Sequence, residues 1–333
     1  MHPAIQGILT VGIGVSACIA YFYFSNQFLD RVLFPAKGPN AGRNINRANM
    51  IRPWLFLFPA IFVLAVYLAY PVVETLRLSL TSRNQGGAFV GLANYNQMFS
   101  EPKFWEALRN NMLWLIVVPA MSTAFGLLAA QLTDRIRWGN IAKSLIFMPM
   151  AISFVGASVI WKLVYDARPA GTDQIGILNA LYIWFGGTEP QQWLVIPFWN
   201  NFFLMIVLIW IQTGFAMVIL SAALRGIPEE TIEAAIIDGA GPFQIFFKIK
   251  VPQIMGTIVV VWTTITLTVL KVFDIVFAMT NGQWQTQVLA NYMFDKLFRA
   301  NDWGVGSAAA MVIMLLVTPI LVWNVMSVRK EMR

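Results

Sequence analysis

The chain alternates long apolar runs with shorter polar segments over most of its 333 residues. A run of about 20 apolar residues is long enough for a helix to cross the hydrocarbon core of a bilayer. Such runs predict membrane-spanning helices at Ala4–Phe24, Trp54–Val73, Met112–Leu132, Ser144–Leu163, Asn200–Ala222, Gln253–Phe277 and Gly306–Met326. We therefore predict an all-α membrane protein, a polytopic helical bundle of about seven transmembrane helices.

Composition agrees with a membrane protein and excludes several kinds of site. The chain is 58% hydrophobic and 12% charged, whereas soluble domains carry about 25% charged residues. One cysteine and one histidine exclude a Cys/His metal cluster and a histidine-dependent nucleophile. The sequence also lacks the glycine-rich loop and lysine that cradle ATP phosphates. We expect no catalytic residue, no metal and no cofactor in this chain.

The distribution of charge predicts the orientation. With the loop at 30–53 placed inside, inside segments hold 14 of the 23 basic and 7 of the 16 acidic residues. The inside net charge is then +7 and the outside net charge is 0, as the positive-inside rule requires. The predicted N-terminus is outside and the C-terminus is cytoplasmic. Because the basic residues lie between apolar runs, they indicate membrane topology and not a nucleic-acid partner.

The first apolar run is expected to be retained. A signal peptide needs basic residues before its apolar core, whereas here Arg31, Lys37 and Arg43 follow it. We predict an extra N-terminal helix and a cytoplasmic linker over 1–53, the linker running from Pro35 to Arg52. Residues 54–333 form the main membrane domain, with a cytoplasmic loop at 224–252.

That loop contains the longest amphipathic passage between two apolar runs, Glu233 to Pro252. Pro228 suits a first helical turn, and Ile232, Ala235 and Ile236 recur at the spacing of one helix face. Gly239 can end this helix. Gly241-Pro242 opens a second one, which Pro252 closes. We predict a helix–turn–helix that docks another protein.

An amphipathic loop lying on lipid headgroups is the alternative interpretation of this passage. Glu229, Glu230 and Glu233 lie on its exposed face. An anionic membrane surface repels such a face, so the docking interpretation is favoured.

The passage resembles the signature of ATP-binding-cassette importer permeases. That signature reads E-A-A, three residues, G, nine residues, I, one residue, L-P. The chain has Glu233-Ala234-Ala235, Gly239, Ile249 and Val251-Pro252, with valine in place of leucine. The resemblance covers roughly residues 54 to 330 and continues through 270–282 and 304–314. Within this family, the chain is similar to the carbohydrate permeases and, among those, to α-glucoside permease subunits.

The resemblance implies a type I importer permease fold and a multi-pass subunit of a bacterial inner membrane, in contact with lipid. It implies as partners a second permease subunit, in a heterodimer, two ATPase subunits that hydrolyse ATP, and an extracytoplasmic sugar-binding protein. The residues implied to couple to the ATPase are Glu233, Ala234, Ala235, Asp238, Gly239, Ala240, Gly241 and Pro252.

A sugar pathway requires polar groups and aromatic faces within the spans, and polar residues there usually point inward. The candidates share helix faces in two spans: Gln212, Phe215, Thr264, Thr268 and Lys271. Asp274 lies three residues after Lys271 and could pair with it. Helix packing is the alternative role for the two threonines. It is also an alternative for Trp210 and Trp262, which could instead stack on sugar.

Two other function classes are less favoured. An ion-coupled secondary carrier would show internal repeats and carboxylates within its spans, but Asp274 alone lies at the edge of one. An intramembrane enzyme would need paired catalytic groups in the bilayer, which the chain does not supply.

Overall fold

The computed structural model describes residues 3–82, 86–134 and 136–331. The chain forms two compact units, Met1–Glu74 and Thr75–Arg333.

The first unit contains two long helices. Helix α1 spans Pro3–Phe28 and continues as a π-helical turn, Leu29–Leu33. Helix α2 spans Ala41–Leu64 and continues through the π-helical turn Ala65–Ala69 into α3, Tyr70–Ser79. The Tyr21 hydroxyl donates to the Leu55 carbonyl at 2.9 Å, and Arg52 pairs with Asp30 at 2.6 Å.

Most of the predicted linker from Pro35 to Arg52 is helical, because α2 begins at Ala41; its cytoplasmic position stays a prediction. Gly38 has a φ of +83°, and Pro39 follows it, so the turn is confined to the residues before Ala41. The arginines and asparagines after Ala41 are compatible with a helix, which therefore extends beyond its apolar part. Pro53 and Pro59 lie inside α2, as membrane helices tolerate.

The second unit contains the remaining elements. A two-residue hairpin pairs β1, Thr81–Ser82, with β2, Ala88–Phe89. Its helices are α4 (Ala93–Ser100), α5 (Pro102–Thr133), α6 (Gly139–Phe147), α7 (Phe154–Val164), α8 (Ile177–Trp184), α9 (Trp199–Arg225), α10 (Glu229–Ile237), α11 (Pro242–Gln244), α12 (Val251–Gln253), α13 (Met255–Leu270), α14 (Asp274–Met279), α15 (Leu289–Phe294) and α16 (Trp303–Glu331). Within the described ranges, five helices are long and apolar enough to span a membrane, or up to seven if each of two bent pairs counts as one span.

The bent pairs correct two predicted spans. The predicted Ser144–Leu163 helix is broken between α6 and α7, which meet at 106°. Pro149 lies in a 3₁₀ turn there, and the Ser153 hydroxyl caps α7 by accepting from the Gly156 N–H at 3.1 Å. The predicted Gln253–Phe277 helix bends by 71° after Gln253 and ends at Leu270.

The centre of the second unit is the contact between α5 and α9. Trp114 of α5 and Leu204 and Met217 of α9 are fully buried. Gly126 lies against Ala216, so close that a Cβ added at Gly126 would be 2.4 Å from the Ala216 Cβ and 2.9 Å from the Met217 nitrogen. Small residues allow this approach, as they do between membrane helices in general.

Gly126→Ala should destabilise the protein because the added methyl group cannot fit unless the two backbones separate. Overpacking of this kind costs about 1–3 kcal/mol, so the unfolding temperature of the purified permease should fall. Gly12→Ala is the matched control, since a Cβ at Gly12 meets nothing within 4 Å. Equal unfolding temperatures for the two variants would show that α5 and α9 are not in this close contact.

Candidate coupling surface and translocation cavity

The first half of the predicted docking passage is a helix with a glycine C-terminus. Helix α10 begins after Pro228, which occupies the N-cap position. Gly239 has a φ of +81°, and beyond it the Ala240 N–H donates to the Ala235 carbonyl at 2.9 Å. This is the usual geometry of a glycine-terminated helix. The spacing from Ala235 to Gly239 thus fixes where α10 ends.

The second half opens at Gly241-Pro242, as predicted. Pro242 is the first residue of α11, and the Gly241 N–H donates to the Gln244 Oε1 at 3.1 Å. The chain then forms a π-helical turn, Ile245–Lys250, before α12. The passage is therefore a helix–turn–helix whose second part is partly π-helical.

The outer face of this passage combines one carboxylate with large apolar side chains. Glu233 is exposed, Ile237 one turn later is 85% exposed, and Phe243 is 81% exposed. Where such exposed apolar side chains form a contiguous patch, they mark a protein or membrane contact. We call Glu233, Ile237 and Phe243 the coupling surface.

The structure corrects the predicted apolar face of α10. Ile232 is half-buried and Ala235 is 8% exposed, but Ile236 is 58% exposed. Ile236 lies near the end of the helix, where the chain turns away at Gly239, and so loses the cover that Ile232 receives from the core. Ala235 therefore packs inward, while Ala234 remains exposed beside Glu233.

The remaining implied coupling residues lie along the same loop. Asp238, Gly239 and Pro252 are exposed, and Ala240 and Gly241 are half-buried. The loop is attached to α5 by Lys250, whose side-chain ammonium donates to the Gln131 Oε1 at 3.1 Å. Their role in coupling stays a prediction.

A polar cluster fixes the ends of three helices beside this loop. Asp134, directly after α5, accepts from Lys143 of α6, from the Ser221 hydroxyl of α9 at 3.0 Å and from the Arg225 side chain at 2.9 Å. Burial alone would raise the pKa of Asp134, but hydrogen bonds from Lys143, Ser221 and Arg225 and the charge of Lys143 hold it below its ordinary 3.8. Arg225 ends α9 just before α10, so the cluster supports the start of the loop at 224–252. We call this loop, which carries the coupling surface, the coupling loop.

Two adjacent cavities lie where the broken spans meet α9. The larger, about 430 Å³, is lined by Ser153, Gln212 and Asp274 together with apolar side chains. The smaller, about 160 Å³, is lined by Thr268, Lys271 and Asp274. Both also contain Phe154. The structure therefore brings three of the five predicted pathway residues, Gln212, Thr268 and Lys271, to one place.

Asp274 lies beside the same cavities but does not form the ion pair with Lys271 that the spacing allowed. It lines both cavities, and the ion pairs found in the described ranges do not include these two side chains. One carboxylate and one ammonium are therefore both available to a polar ligand in the cavity.

The other two predicted pathway residues lie elsewhere. Phe215 packs against the main apolar core, and the exposed Thr264 donates its hydroxyl to the Val260 carbonyl at 2.8 Å. Trp210 packs edge-to-face on Trp161, with ring centroids 5.8 Å apart. Trp210 thus packs on a neighbouring ring, and both rings also border another, apolar cavity of about 770 Å³.

Sequence reasoning missed a loop that four asparagines hold at the opposite end of α5 and α9. Asn110 donates to the Gln285 and Gln287 carbonyls at 2.9 and 2.8 Å. Asn200 and Asn201 donate to the Trp284 and Gln285 carbonyls, and Asn111 accepts from the Leu289 N–H.

These hydrogen bonds stabilise a backbone conformation of the loop that is otherwise unfavourable. Trp284 and Gln285 have φ values of +51° and +62°, which non-glycine residues rarely adopt. The paired asparagines at the ends of two apolar runs, Asn110-Asn111 and Asn200-Asn201, were the available sequence signal.

Asp134→Asn should lower stability by about 1–3 kcal/mol at neutral pH, because Lys143 and Arg225 lose their charged acceptor. A carboxylate with a depressed folded-state pKa stabilises the protein above its ordinary pKa, and this contribution is lost as the pH falls through the folded-state value. The gap in unfolding temperature between wild type and variant should therefore close as the pH falls below 3.8.

The matched control is Asp173→Asn, which changes an exposed carboxylate in the loop after α7. It should leave the unfolding temperature unchanged at pH 7. A gap for Asp134→Asn that stays constant down to the lowest pH would contradict the assigned role of its charge.

The chain matches a known protein family. Residues 122–331 match the family described as "Binding-protein-dependent transport system inner membrane component". This range covers more than half of the chain and includes the coupling surface and both cavities.

Similar proteins share most of the chain. It is 64% identical over 335 residues to the alpha-glucoside transport system permease protein AglF of Rhizobium meliloti, covering 99% of each. It is 49% identical to the osmoprotective compounds uptake permease protein GgtC of Synechocystis, covering 81% of this chain and 96% of that protein.

A solved structure shares the fold. The chain superposes on a subunit of a bacterial ABC transporter involved in import of the acidic polysaccharide alginate, with a TM-score of 0.72 and 20% identity. The match covers 86% of this chain and 98% of that chain, which confirms the predicted type I importer permease fold. The chain belongs to the family of binding-protein-dependent transport system inner membrane components, the permease subunits of ATP-binding-cassette importers.

Proposed function

We propose that this chain forms half of the membrane pathway of an importer for α-glucosides. The observation that carries the proposal is 64% identity to an α-glucoside permease along the whole chain. The cavities support it, because Ser153, Gln212 and Thr268 offer neutral hydrogen-bonding groups and Asp274 and Lys271 add charged ones. A sugar carries many hydroxyls, and such a mixed set can pair with both their donors and their acceptors.

The importer proposed here contains partner subunits. A second, different permease would complete the pathway, two ATPase subunits would hydrolyse ATP, and an extracytoplasmic sugar-binding protein would deliver the sugar. This chain would carry out no catalysis. Its N-terminus would be outside and its C-terminus cytoplasmic, as the excess of basic residues on one side predicts.

The coupling surface would dock into the ATPase subunit. Ile237 and Phe243 would be buried on docking, while Glu233 would pair with a basic residue of the ATPase. Because Lys250 and the Asp134 cluster fix both ends of this loop, movement of the ATPase would pass to α9 and α13 as a rigid-body displacement.

Ile237→Glu should weaken binding of the ATPase subunits roughly 10–100-fold, since burial of an isoleucine side chain contributes about 1.5–3 kcal/mol. Glu233→Lys should weaken it as well, by reversing the sign of the pairing charge. Both effects are measured by co-purification of the ATPase subunits and by sugar-dependent ATP hydrolysis in membranes.

Ile175→Glu makes the same change at an exposed isoleucine outside the coupling loop and should leave co-purification intact. Normal ATPase binding by Ile237→Glu and Glu233→Lys, with intact insertion, would refute the docking role. Uptake that survives loss of the ATPase subunits would refute ATP-driven import itself.

Gln212→Leu should lower α-glucoside uptake roughly 3–10-fold, because one hydrogen bond of about 1 kcal/mol is lost in the larger cavity. The measurement is uptake of a labelled α-glucoside by the reconstituted transporter, with competition from a panel of mono-, di- and trisaccharides. In wild type, α-glucosides should compete best.

Thr264→Val is the matched control, since Thr264 lies outside both cavities and bonds within its own helix. It should transport at nearly the wild-type rate. If β-linked sugars compete best, the proposed substrate class is wrong. If Gln212→Leu transports the α-glucoside at the wild-type rate, the larger cavity is not part of the pathway.

A further inference from the structure

The start of α2 carries four exposed residues on one helix face: Arg43, Arg47, Met50 and Trp54. Their spacings of four, three and four residues place them in a single row along the helix. Both arginines are exposed, and Met50 and Trp54 are 73% and 69% exposed. We call this row the basic stripe.

The opposite face of α2 is already occupied within the first unit. Arg52 lies nine residues after Arg43, half a turn around the helix, and pairs with Asp30 at 2.6 Å. Ala48 on that side is 3% exposed, and the Leu55 carbonyl accepts from Tyr21. The packing with α1 thus leaves the basic stripe facing outward.

In the described part of their own unit, the arginines of the stripe lack a nearby anion. The first unit has two acidic residues, Asp30 and Glu74. Arg52 holds Asp30, and Glu74 follows Arg47 by 27 residues, about 40 Å along a helix. Among the described residues, neither Arg43 nor Arg47 takes part in an ion pair. The anion that balances them must therefore come from outside the first unit.

The depth of the four residues fits the layers of a membrane surface. Arg47 and Trp54 are seven residues apart, about 10 Å along the helix axis. With the arginines at the level of the phosphates, Trp54 reaches the edge of the hydrocarbon, where tryptophan is favoured. Met50 lies between them beside the upper part of an acyl chain.

We propose that the basic stripe binds an anionic phospholipid. The guanidiniums of Arg43 and Arg47 hold the headgroup phosphate, to which arginine can donate two parallel hydrogen bonds. The acyl chain lies over Met50 and Trp54. A zwitterionic lipid binds more weakly because its own ammonium offsets the phosphate charge. This inference does not depend on the transported substrate.

The first experiment compares lipid binding by two double variants that lose the same charge. The full-length permease is purified with the subunits it assembles with, stripped of lipid, and titrated with phosphatidylglycerol or phosphatidylcholine while native mass spectrometry counts bound lipids. Arg43→Gln with Arg47→Gln should weaken phosphatidylglycerol binding about 30-fold, since each arginine at an anionic surface contributes about fivefold.

Arg31→Gln with Lys37→Gln is the matched control, because these exposed cations lie off the stripe. It should change phosphatidylglycerol binding less than threefold, and neither double variant should alter phosphatidylcholine binding. Equal losses in both double variants would show a nonspecific effect of net charge and overturn the site, as would no loss in either.

A second experiment measures the contact between lipid and position 50 by fluorescence quenching. Cys18 is the single cysteine, so a fluorophore can be attached at position 50 in a Cys18→Ala, Met50→Cys chain. Brominated phosphatidylglycerol should quench it more strongly than brominated phosphatidylcholine, and Arg43→Gln with Arg47→Gln should remove this preference. Inorganic phosphate at equal concentration should not displace the lipid.

Displacement by inorganic phosphate would show an anion site without lipid selectivity and would overturn the proposal. So would cross-linking of position 50 to a second permease subunit in place of lipid quenching, because a protein helix would then cover the stripe.

Discussion

The close approach of α5 and α9 is the contact on which the second unit depends. Gly126 and Ala216 allow the two backbones to touch, and each helix then joins a hydrogen-bonded cluster at both ends. At one end the asparagines of both helices hold the loop around Trp284. At the other end Asp134, next to α5, binds Ser221 and Arg225 of α9. A change in the angle between these helices would therefore affect both regions at once.

This arrangement separates rigid parts from parts that can move. The ends of α5 and α9 are joined by charged or amide hydrogen bonds, which are stronger and more directional than apolar contacts. The cavities, in contrast, lie at the breaks between α6 and α7 and after α13, where helices are short. In a transporter, such breaks let segments rotate around a fixed frame, and in the importer proposed above the α5–α9 pair would be that frame.

The sequence predicted the features that have a local cause. Apolar runs long enough for a bilayer located the spans, and Gly239 and Pro242 located the turn between α10 and α11 because their backbone preferences act on neighbouring residues. The break at Pro149 and Ser153 also had local signals, but a continuous apolar run concealed it. The outer position of Ile236 was missed since helix periodicity alone does not show where packing stops.

Contacts between distant segments could not be predicted in the same way. Asp134 and Arg225 are 91 residues apart in the chain, and one sequence contains no signal that joins them. The same holds for Gln212 and Asp274, which line one cavity although 62 residues separate them in the chain. For the cavity, the sequence identified polar residues on the correct helices, but which of them share a space depends on tertiary structure.

The bend between α6 and α7 has a further consequence for how this cavity can change during evolution. Met150, Ile152 and Ser153 line it from a segment that is not α-helical, and non-helical backbone at membrane depth is tolerated where it borders such a space. Peptide groups remain whatever side chains they carry. Substitution therefore changes only the side chains that border the cavity, and in the proposed importer ligand selectivity would diverge at side chains such as Gln212 of α9 and Asp274 of α14.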